Sequence, residues 1–198
     1  MSILILASSS PVRAQLLRTA GIAFEVCAAN VDEERIKTAL LADGCDGGEI
    51  AEALAEAKAA HVSTANPQAF VLGCDQVLVY DGKLIGKSAN LGEARALLRQ
   101  LRGKEHMLIT ACVLVKNGAS LWRRQERCTM KIRAFSEAFL ETYLRLEGNG
   151  ILGSVGCYHL EGRGSQLFEW VQGDYFSVLG LPLIPLMAAL RDHGIVER

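Results

Sequence analysis

Residues 3–13 read ILILASSSPVR, an apolar run followed by three serines, a proline and the start of a helical pattern. The apolar run has the length of a buried strand, and Ser10 is a good N-cap for a helix whose first position is Pro11. A strand that leads directly into a helix brings backbone N–H groups and the positive end of the helix dipole to one point. Arg13 in the first turn can add a forked positive charge. The stretch therefore predicts an anion site that suits a phosphorylated ligand.

The same turn also has a simpler interpretation, because serine and proline begin many helices that bind nothing. The chain lacks Gly-x-x-x-x-Gly-Lys-Ser/Thr, and no Gly-x-Gly-x-x-Gly follows a strand. The hypothesis of an anion site therefore depends on other groups that converge on this turn.

Composition restricts the class of protein. The 198 residues are half apolar and carry a net charge of −1, which fits a globular chain and argues against DNA or RNA polymer as a partner. Met1 and Ser2 lead straight into the first strand, so we expect no signal peptide, and no apolar run has the roughly 18 residues of a membrane span. The six cysteines are scattered without a Cys-x-x-Cys motif. We therefore expect a cytoplasmic protein with reduced core thiols and no membrane partner.

The order of patterns predicts an α/β protein. Strands and helices alternate early, hairpins dominate the middle and helices return late, which favours a single domain over residues 1–198 with two lobes around a curved mixed sheet flanked by helices. Segments 44–48 and 153–164 are expected to be loops because of their glycines. Helices are predicted over 11–19, 49–65, 91–101, 136–146 and 182–194, and strands over 24–28, 70–73, 77–80, 105–115 and 120–132.

Asp75 stands between the two apolar runs 70–73 and 77–80. Aspartate has a low strand propensity and is rarely buried without a partner. It is either a capping residue in a bulge or a catalytic carboxylate. The following Asp81-Gly82 predicts a tight hairpin turn, which would bring Lys87 back towards Asp75. A carboxylate and a lysine across one hairpin favour the catalytic interpretation more than either residue alone.

Two further charged residues have open interpretations. Lys58 lies in an alanine-rich turn of the predicted helix 49–65, where it is either a solvated side chain or a functional cation. Glu33 follows a strand and precedes a helix, so it is either an exposed residue at a helix start or a carboxylate that faces a metal–phosphate group.

A series of short motifs occurs in one order along almost the whole chain. They are Ser8-Ser9-Ser10-Pro11-x-Arg13, Val31-Asp32-Glu33, Ala55-x-x-Lys58-Ala59, Gly73-x-Asp75-x-Val77, Asp81-Gly82 with Gly86-Lys87, Leu101-x-Gly103-x-x-His106, Gly156-x-Tyr158 with Glu161-Gly162-x-Gly164, Gly173-Asp174-Tyr175 and Gly180-Leu181-Pro182. The ordered set resembles the Maf family of nucleotide pyrophosphatases.

The resemblance implies a Maf/ITPase-like fold and a metal-dependent hydrolase that cuts a nucleoside triphosphate between the α- and β-phosphates. The products would be a nucleoside monophosphate and pyrophosphate. In the family the aspartate of the Gly-x-Asp motif accepts the proton, and that residue is Asp75 here. The residues implied to line the phosphate site are Ser8, Arg13, Glu33, Lys58 and Lys87. A divalent cation, Mg²⁺ or Mn²⁺, would be held by Glu33 and Asp75, and a homodimer is also implied.

These roles agree with the chemistry of phosphoryl transfer. That chemistry consists mostly of positioning and charge neutralisation, and Mg²⁺ commonly takes only one or two protein carboxylates. The neighbouring cations Lys58 and Lys87 are expected to keep Asp75 ionised and able to accept a proton from water.

Three positions implied to select the base are Val12, Gln76 and Glu161. Gln76 and Glu161 resemble the branch of the family that acts on 7-methyl-GTP more than the branch that acts on dTTP and UTP, although the 7-methyl-GTP branch favours an aromatic residue in place of Val12. A glutamate also accepts hydrogen bonds from the N1–H and amino groups of guanine. We therefore expect 7-methyl-GTP or another modified nucleotide as substrate, with a dTTP/UTP pyrophosphatase as the alternative.

Two departures from the family pattern fall near the expected site. Gly153-Ser154 stands where the family usually has an acidic residue, and Ser88 replaces the usual proline after Lys87. A nucleotide-binding regulator of septum formation or cell division with little hydrolysis is a further alternative. An enzyme is favoured, because a pure binding protein needs no proton acceptor and the chain keeps all of Asp75, Glu33, Lys58 and Lys87.

Overall fold

The computed structural model describes residues 3–197, so the expectation about Met1 and Ser2 lies outside the described residues. The strands in this range are β1 (Leu4–Ala7), β2 (Glu25–Val26), β3 (Phe70–Tyr80), β4 (Lys83–Ile85), β5 (Glu105–Lys116), β6 (Ala119–Ile132) and β7 (Phe168–Gln172). The α-helices are α1 (Pro11–Thr19), α2 (Glu33–Ala42), α3 (Gly47–Ala65), α4 (Leu91–Leu101), α5 (Glu137–Glu147), α6 (Tyr175–Val178) and α7 (Leu183–Asp192). Short 3-10 helices cover Gly148–Gly153 and Arg163–Leu167.

The strands form one mixed sheet in the order β2-β1-β3-β5-β6-β7, and β4 pairs with β3. β1 runs parallel to β2 and β3, whereas β4 is antiparallel to β3 and β7 is antiparallel to β6. The prediction of an α/β protein with a mixed sheet flanked by helices is confirmed. Because β1 and β3 are parallel neighbours with Ala7 opposite Gly73, the turn after β1 lies next to the middle of β3, where the strand continues past Gly73.

Several predicted boundaries are wrong, each for a local reason. β3 runs unbroken through Asp75, which lies in the strand and pairs with Lys58. α3 begins at Gly47 rather than at residue 49, because Asp46 and Glu49 form a capping box that turns part of the expected loop 44–48 into helix. The expected strand 24–28 is reduced to Glu25–Val26. The strand β7 and the short helix α6 were not predicted.

The chain divides into two compact units. The first contains residues 1–76, 110–126 and 174–198, and the second contains 77–109 and 127–173. The core of the first unit is formed by apolar side chains of β1, β3, β5, α1 and α7, including Leu6, Leu17, Leu72, Leu114 and Leu186. In the second unit α4 packs against α5, and paired charges such as Arg95 with Glu141 join the two helices. That residues 1–198 form a single domain stays a prediction.

Within residues 3–197, the helices are all too short or too polar to cross a lipid bilayer.

Candidate functional site

The turn after β1 is closed by its own side chains. Ser10 is the N-cap of α1, and its hydroxyl accepts a 3.4 Å hydrogen bond from the backbone N–H of Arg13. The hydroxyl of Ser8 accepts a 3.2 Å hydrogen bond from the N–H of Ser10. Pro11 has no N–H, and the N–H groups of Arg13 and Ala14 are bonded to Ser10. In the first turn of α1 this leaves the N–H of Val12 without a hydrogen-bond partner among residues 3–197. The helix end thus offers a bound anion fewer free N–H groups than the sequence predicts.

Arg13 is the strongest anchor of this turn. Its Nη1 donates to Ser8 Oγ at 3.1 Å and to the carbonyl oxygen of Cys74 at 2.9 Å, and its Nε donates to the carbonyl oxygen of Gly180 at 2.8 Å. These three bonds join the end of β1, the strand β3 and the segment before α7. An arginine side chain has five N–H groups, so the two on Nη2 are left for an anionic ligand.

Gly180 has a specific reason to be glycine. Its φ is +92°, and a Cβ atom at this position would lie 3.0 Å from Nε of Arg13. Any other residue would be strained and would displace the guanidinium. The glycine of the Gly180-Leu181-Pro182 motif is therefore explained by the position of Arg13.

The second cluster is formed by one lysine and two carboxylates. Lys58 Nζ lies 2.6 Å from Asp75 Oδ1 and 2.9 Å from Glu33 Oε1. The side chains of Lys58 and Asp75 are only 11% and 9% exposed, whereas that of Glu33 is 40% exposed. A buried aspartate in mid-strand is thus compensated by a buried ammonium group, and of its two carboxylate oxygens Oδ1 is the one bonded within residues 3–197. The hypothesis that Lys58 is merely a solvated side chain is wrong.

Gly73 brings α3 close enough for this contact. A Cβ atom at residue 73 would collide with the backbone carbonyl of Ala55 and the backbone N–H of Ala59 in α3. Glycine therefore permits the helix to lie directly on β3, and Lys58, one residue before Ala59, reaches the carboxylate two residues after Gly73. The Gly-x-Asp and Ala-x-x-Lys-Ala motifs are two halves of one packing contact.

The donor set of this cluster fits a divalent cation. Glu33 and Asp75 each direct one oxygen at the same ammonium group, so both point at a common position for positive charge. Mg²⁺ bound with nucleotides commonly uses one or two carboxylates and completes its shell with phosphate oxygens and water. In the described part of the chain, no group of three or more His, Cys, Asp or Glu side chains could hold a metal by itself. The two carboxylates suit a cation that arrives with a phosphorylated ligand.

Gln76 follows Asp75 and is half-buried. Its Nε2 lies 2.8 Å from Thr110 Oγ1, 3.0 Å from the carbonyl oxygen of Ser177 and 3.1 Å from that of Val178. The side chain is thus tied to β5 and α6. No local sequence pattern marks these partners, which lie far from Gln76 along the chain.

A pair of thiols next to the site was also not predicted. Cys74 and Cys112 are fully buried, and their sulfur atoms lie 3.1 Å apart. Burial by itself would raise the pKa of Cys74, but the hydrogen bond from Cys112 and the charges of Arg13 and Lys58 outweigh it and lower that pKa. Burial and the neighbouring Cys74 raise the pKa of Cys112 well above its usual value.

The remaining expected site residues fall in two groups. Val12 is half-buried in the first turn of α1, in the same unit as Arg13 and Asp75. Lys87 is exposed just after β4, and Glu161 is exposed in the glycine-rich segment, both in the second unit. The roles of Val12, Lys87 and Glu161 stay predictions.

The glycine-rich segment of the second unit is built around Tyr158. Its hydroxyl lies 2.6 Å from Nε2 of His106, and both residues are buried. A Cβ atom at Gly156 would collide with the Tyr158 ring, and one at Gly164 would collide with the backbone of His159. The Leu-x-Gly-x-x-His and Gly-x-Tyr motifs therefore form one buried contact.

The first unit thus contains an anchored guanidinium at the end of β1 and a lysine with two carboxylates beside β3. The fold and these two clusters define an α/β protein whose charged groups suit an anionic ligand. The chain belongs to the Maf family: the family described as Maf-like protein matches residues 3–193.

Several relatives that are named for an enzymatic activity match this chain over nearly their full length. A protein of Maricaulis maris named nucleoside triphosphate pyrophosphatase is 48% identical over 100% of both chains. A protein of the same name from Granulibacter bethesdensis is 47% identical over 96% of each chain. A protein of Brucella abortus named 7-methyl-GTP pyrophosphatase is 43% identical over 98% of each chain.

Among solved structures, a HAM1 protein from Coxiella burnetii is 18% identical over 68% of this chain and 75% of its own chain. The TM-score of 0.40 is too low for conclusions about the site.

Proposed function

We propose that this protein hydrolyses nucleoside triphosphates between the α- and β-phosphates, releasing a nucleoside monophosphate and pyrophosphate, with 7-methyl-GTP as the preferred substrate. The observation that carries the proposal is the position of Lys58 Nζ between Asp75 Oδ1 and Glu33 Oε1. The full-length relatives named nucleoside triphosphate pyrophosphatase support the hydrolase activity.

Asp75 is the proton acceptor in this proposal. Lys58 holds Oδ1 at 2.6 Å and so fixes the direction of the carboxylate. The other oxygen, Oδ2, can accept a proton from a water molecule that attacks the phosphate. Because Asp75 is nearly buried, few competing water molecules reach it, and its charge acts at close range.

The cations neutralise the phosphate groups. Arg13 is anchored by three protein acceptors and offers its Nη2 group to a phosphate oxygen with little loss of side-chain freedom. Ser8 and Lys87 are proposed as further phosphate contacts. Lys58 is proposed to contact the phosphate group as well while it remains beside Asp75.

Glu33 and Asp75 would hold a divalent cation, Mg²⁺ or Mn²⁺, that binds together with the nucleotide. When bound, the cation supplies positive charge to the phosphate oxygens. Glu33 is the more exposed of the two carboxylates, so it can turn from Lys58 to the cation without uncovering buried charge.

The proposed base preference rests on Gln76 and Glu161, with Val12 beside the phosphate turn. The Brucella abortus relative named 7-methyl-GTP pyrophosphatase supports this choice. A methylated guanine carries a positive charge, which a carboxylate at residue 161 would favour over a neutral base.

The experiment is a pyrophosphate-release assay of the purified chain with Mg²⁺ or Mn²⁺ over 7-methyl-GTP, GTP, dTTP, UTP, CTP and pseudouridine triphosphate. We expect the highest kcat/KM for 7-methyl-GTP and no release when EDTA removes the metal. A preference for dTTP or UTP would support the proposed reaction but would contradict 7-methyl-GTP as the preferred substrate. Tight nucleotide binding without release from any substrate would overturn the reaction and favour a nucleotide-binding regulator of septum formation.

A cytoplasmic location and a homodimer accompany the proposal. Cell fractionation and light scattering of the purified chain would test them.

A further inference from the structure

The loop that follows β4 carries Lys87 and is anchored through the next residue. Ser88 is buried, whereas Lys87 is exposed. Oγ of Ser88 lies 3.2 Å from Sγ of Cys157, which is fully buried in the glycine-rich segment 153–164 of the same unit. The backbone from which the Lys87 side chain extends is therefore restrained by Cys157.

Cys157 has a backbone conformation that favours glycine, with a φ of +56°. Among residues 3–197, the other non-glycine residues with a positive φ are Asp81 and Asn117, and both lie in hairpin turns, where such values are usual. Cys157 is buried and lies outside the hairpins. A glycine would adopt this conformation more easily, so a cysteine here indicates that contacts of its side chain offset the strain.

The contacts of Cys157 direct its sulfur at Ser88. The hydroxyl of Tyr143, which is buried in α5, donates a 3.1 Å hydrogen bond to the carbonyl oxygen of Cys157 and so holds its backbone. Burial raises the pKa of the Cys157 thiol, and hydrogen bonds from the hydroxyl and the backbone of Ser88 offset part of that rise. Because only a donor lowers the pKa of a thiol, the backbone group at the sulfur is the N–H of Ser88.

Ser88 stands where the family usually has proline. Proline would restrict the backbone of this loop through its ring, but it has no N–H. Serine lacks that restriction and supplies two polar groups that the Cys157 sulfur contacts. In this chain the contact between Cys157 and Ser88 therefore provides the restraint that a proline ring would otherwise provide.

We propose that Cys157 and Ser88 are positioning residues, which hold the loop after β4 so that the ammonium group of Lys87 reaches a phosphate group of the nucleotide. This inference rests on the proposed function, in which Lys87 is a phosphate contact. Cys157 and Ser88 are both buried, so they act through Lys87. A loop that is already ordered loses less conformational freedom when the phosphate binds, so the restraint strengthens binding.

The test compares Cys157→Ala and Ser88→Ala with the unaltered chain, each alone and in combination with Lys87→Met. Methionine keeps most of the length of the lysine side chain without its charge. Cys157→Ser retains a polar group and is the conservative variant, and Cys128→Ala, at another buried cysteine of the second unit, is the matched control. Each protein is assayed for pyrophosphate release from 7-methyl-GTP or from the nucleotide of the panel that is hydrolysed fastest.

We expect kcat/KM to fall by about threefold to tenfold in Cys157→Ala and in Ser88→Ala, the value of one hydrogen bond. In the Lys87→Met background the same substitutions should change kcat/KM by less than about twofold, because the side chain through which they act is already gone. Cys157→Ser and Cys128→Ala should stay within about twofold of the unaltered chain. An equal fall with and without Lys87 would mean a merely structural role and would overturn the inference, as would an unchanged kcat/KM in both alanine variants.

A second measurement does not depend on hydrolysis. NMR of the ¹⁵N-labelled chain follows the exchange of the Ser88 backbone N–H with water, which should be at least about fivefold faster in Cys157→Ala because its bond to the sulfur is lost. If alanine prevents folding, Cys157→Gly takes its place, since glycine adopts a φ of +56° without strain. Equal exchange in variant and unaltered chain would overturn the inference. Faster exchange in the variant, with no pyrophosphate release from any nucleotide by the unaltered chain, would overturn only the proposed function.

Discussion

Lys58 Nζ lies 2.6 Å from Asp75 Oδ1, although α3 and β3 carry these residues 17 positions apart in the chain. Asp75 is therefore neither a cap in a bulge nor an isolated buried charge. Its strand position, the absence of a Cβ atom at Gly73 and the ammonium group of Lys58 form one arrangement. The first predictions test this arrangement.

Asp75→Asn removes the proton acceptor while keeping the shape of the side chain and an oxygen for Lys58. We expect the rate of pyrophosphate release to fall by about 10² to 10⁴, the usual contribution of a general base. Nucleotide affinity measured without a divalent cation should change little, because the anchored Arg13 is untouched. Single-turnover rates and calorimetric titration with a nucleotide measure the two quantities. Turnover equal to that of the unaltered chain would show that Asp75 is not the base.

Gly73→Ala places a methyl group against the backbone of α3. The helix must shift, and we expect the free energy of unfolding to fall by about 1–3 kcal/mol, as for other overpacked sites. Activity should fall as well, since Lys58 moves with the helix. Gly150→Ala is the matched control, because a Cβ atom there meets nothing within 4 Å. Urea unfolding and pyrophosphate release measure both effects; equal stability of the two variants would contradict the packing argument.

Sequence patterns identified the parts of the site that are local in the chain. The Ser8–Arg13 turn was recognised because its cap, proline and arginine lie within six residues, and the structure confirms Ser10 as the N-cap. From the hairpin turn at Asp81-Gly82, the sequence predicts Lys87 as the lysine that lies close to Asp75. The structure shows Lys58 as the partner, and that contact depends on how closely a helix packs on a strand at Gly73.

Longer-range partners carried no readable signal in a single sequence. The acceptors of Gln76 at Ser177 and Val178 lie 101 and 102 positions away. They are backbone carbonyls, which every residue has, so no side-chain pattern marks them. The motif Gly173-Asp174-Tyr175 was recognisable only by resemblance, and the structure supplies its physical reason in the Asp174 cap of α6.

Arg13→Lys tests whether the guanidinium acts as an anchored fork or as a simple charge. Lysine keeps the charge but cannot bind Ser8 Oγ and the carbonyls of Cys74 and Gly180 with two nitrogen atoms at once. We expect kcat/KM to fall by about tenfold to a hundredfold, since one to two net hydrogen bonds are lost. Arg18→Lys, an exposed position of the same helix, is the control and should stay close to the unaltered chain. A fall of the same size in both variants would refute the anchoring role of Arg13.

His106 predicts a specific dependence of stability on pH. Burial lowers the pKa of this histidine from 6.5 to about 4, its Nε2 meets the hydroxyl of Tyr158, and its Nδ1 has no partner among the described residues. The unfolded chain therefore binds a proton at His106 more readily than the folded chain does between pH 6.5 and about 4. Above pH 6.5 His106 is neutral in both the folded and the unfolded chain, so it carries no proton-linked cost. As the pH falls below 6.5, the free energy of unfolding decreases, by on the order of 3 kcal/mol in total once the pH is below about 4.

Because carboxylates also titrate in this range, the quantity to measure is the difference between the unaltered chain and His106→Gln in urea unfolding at several pH values from 7.5 to 4.5. We expect that difference to shrink steadily as the pH falls, while the exposed His61→Gln shows a constant difference from the unaltered chain. Parallel pH profiles for the unaltered chain and His106→Gln would mean that His106 takes up its proton in the folded protein as easily as in the unfolded one.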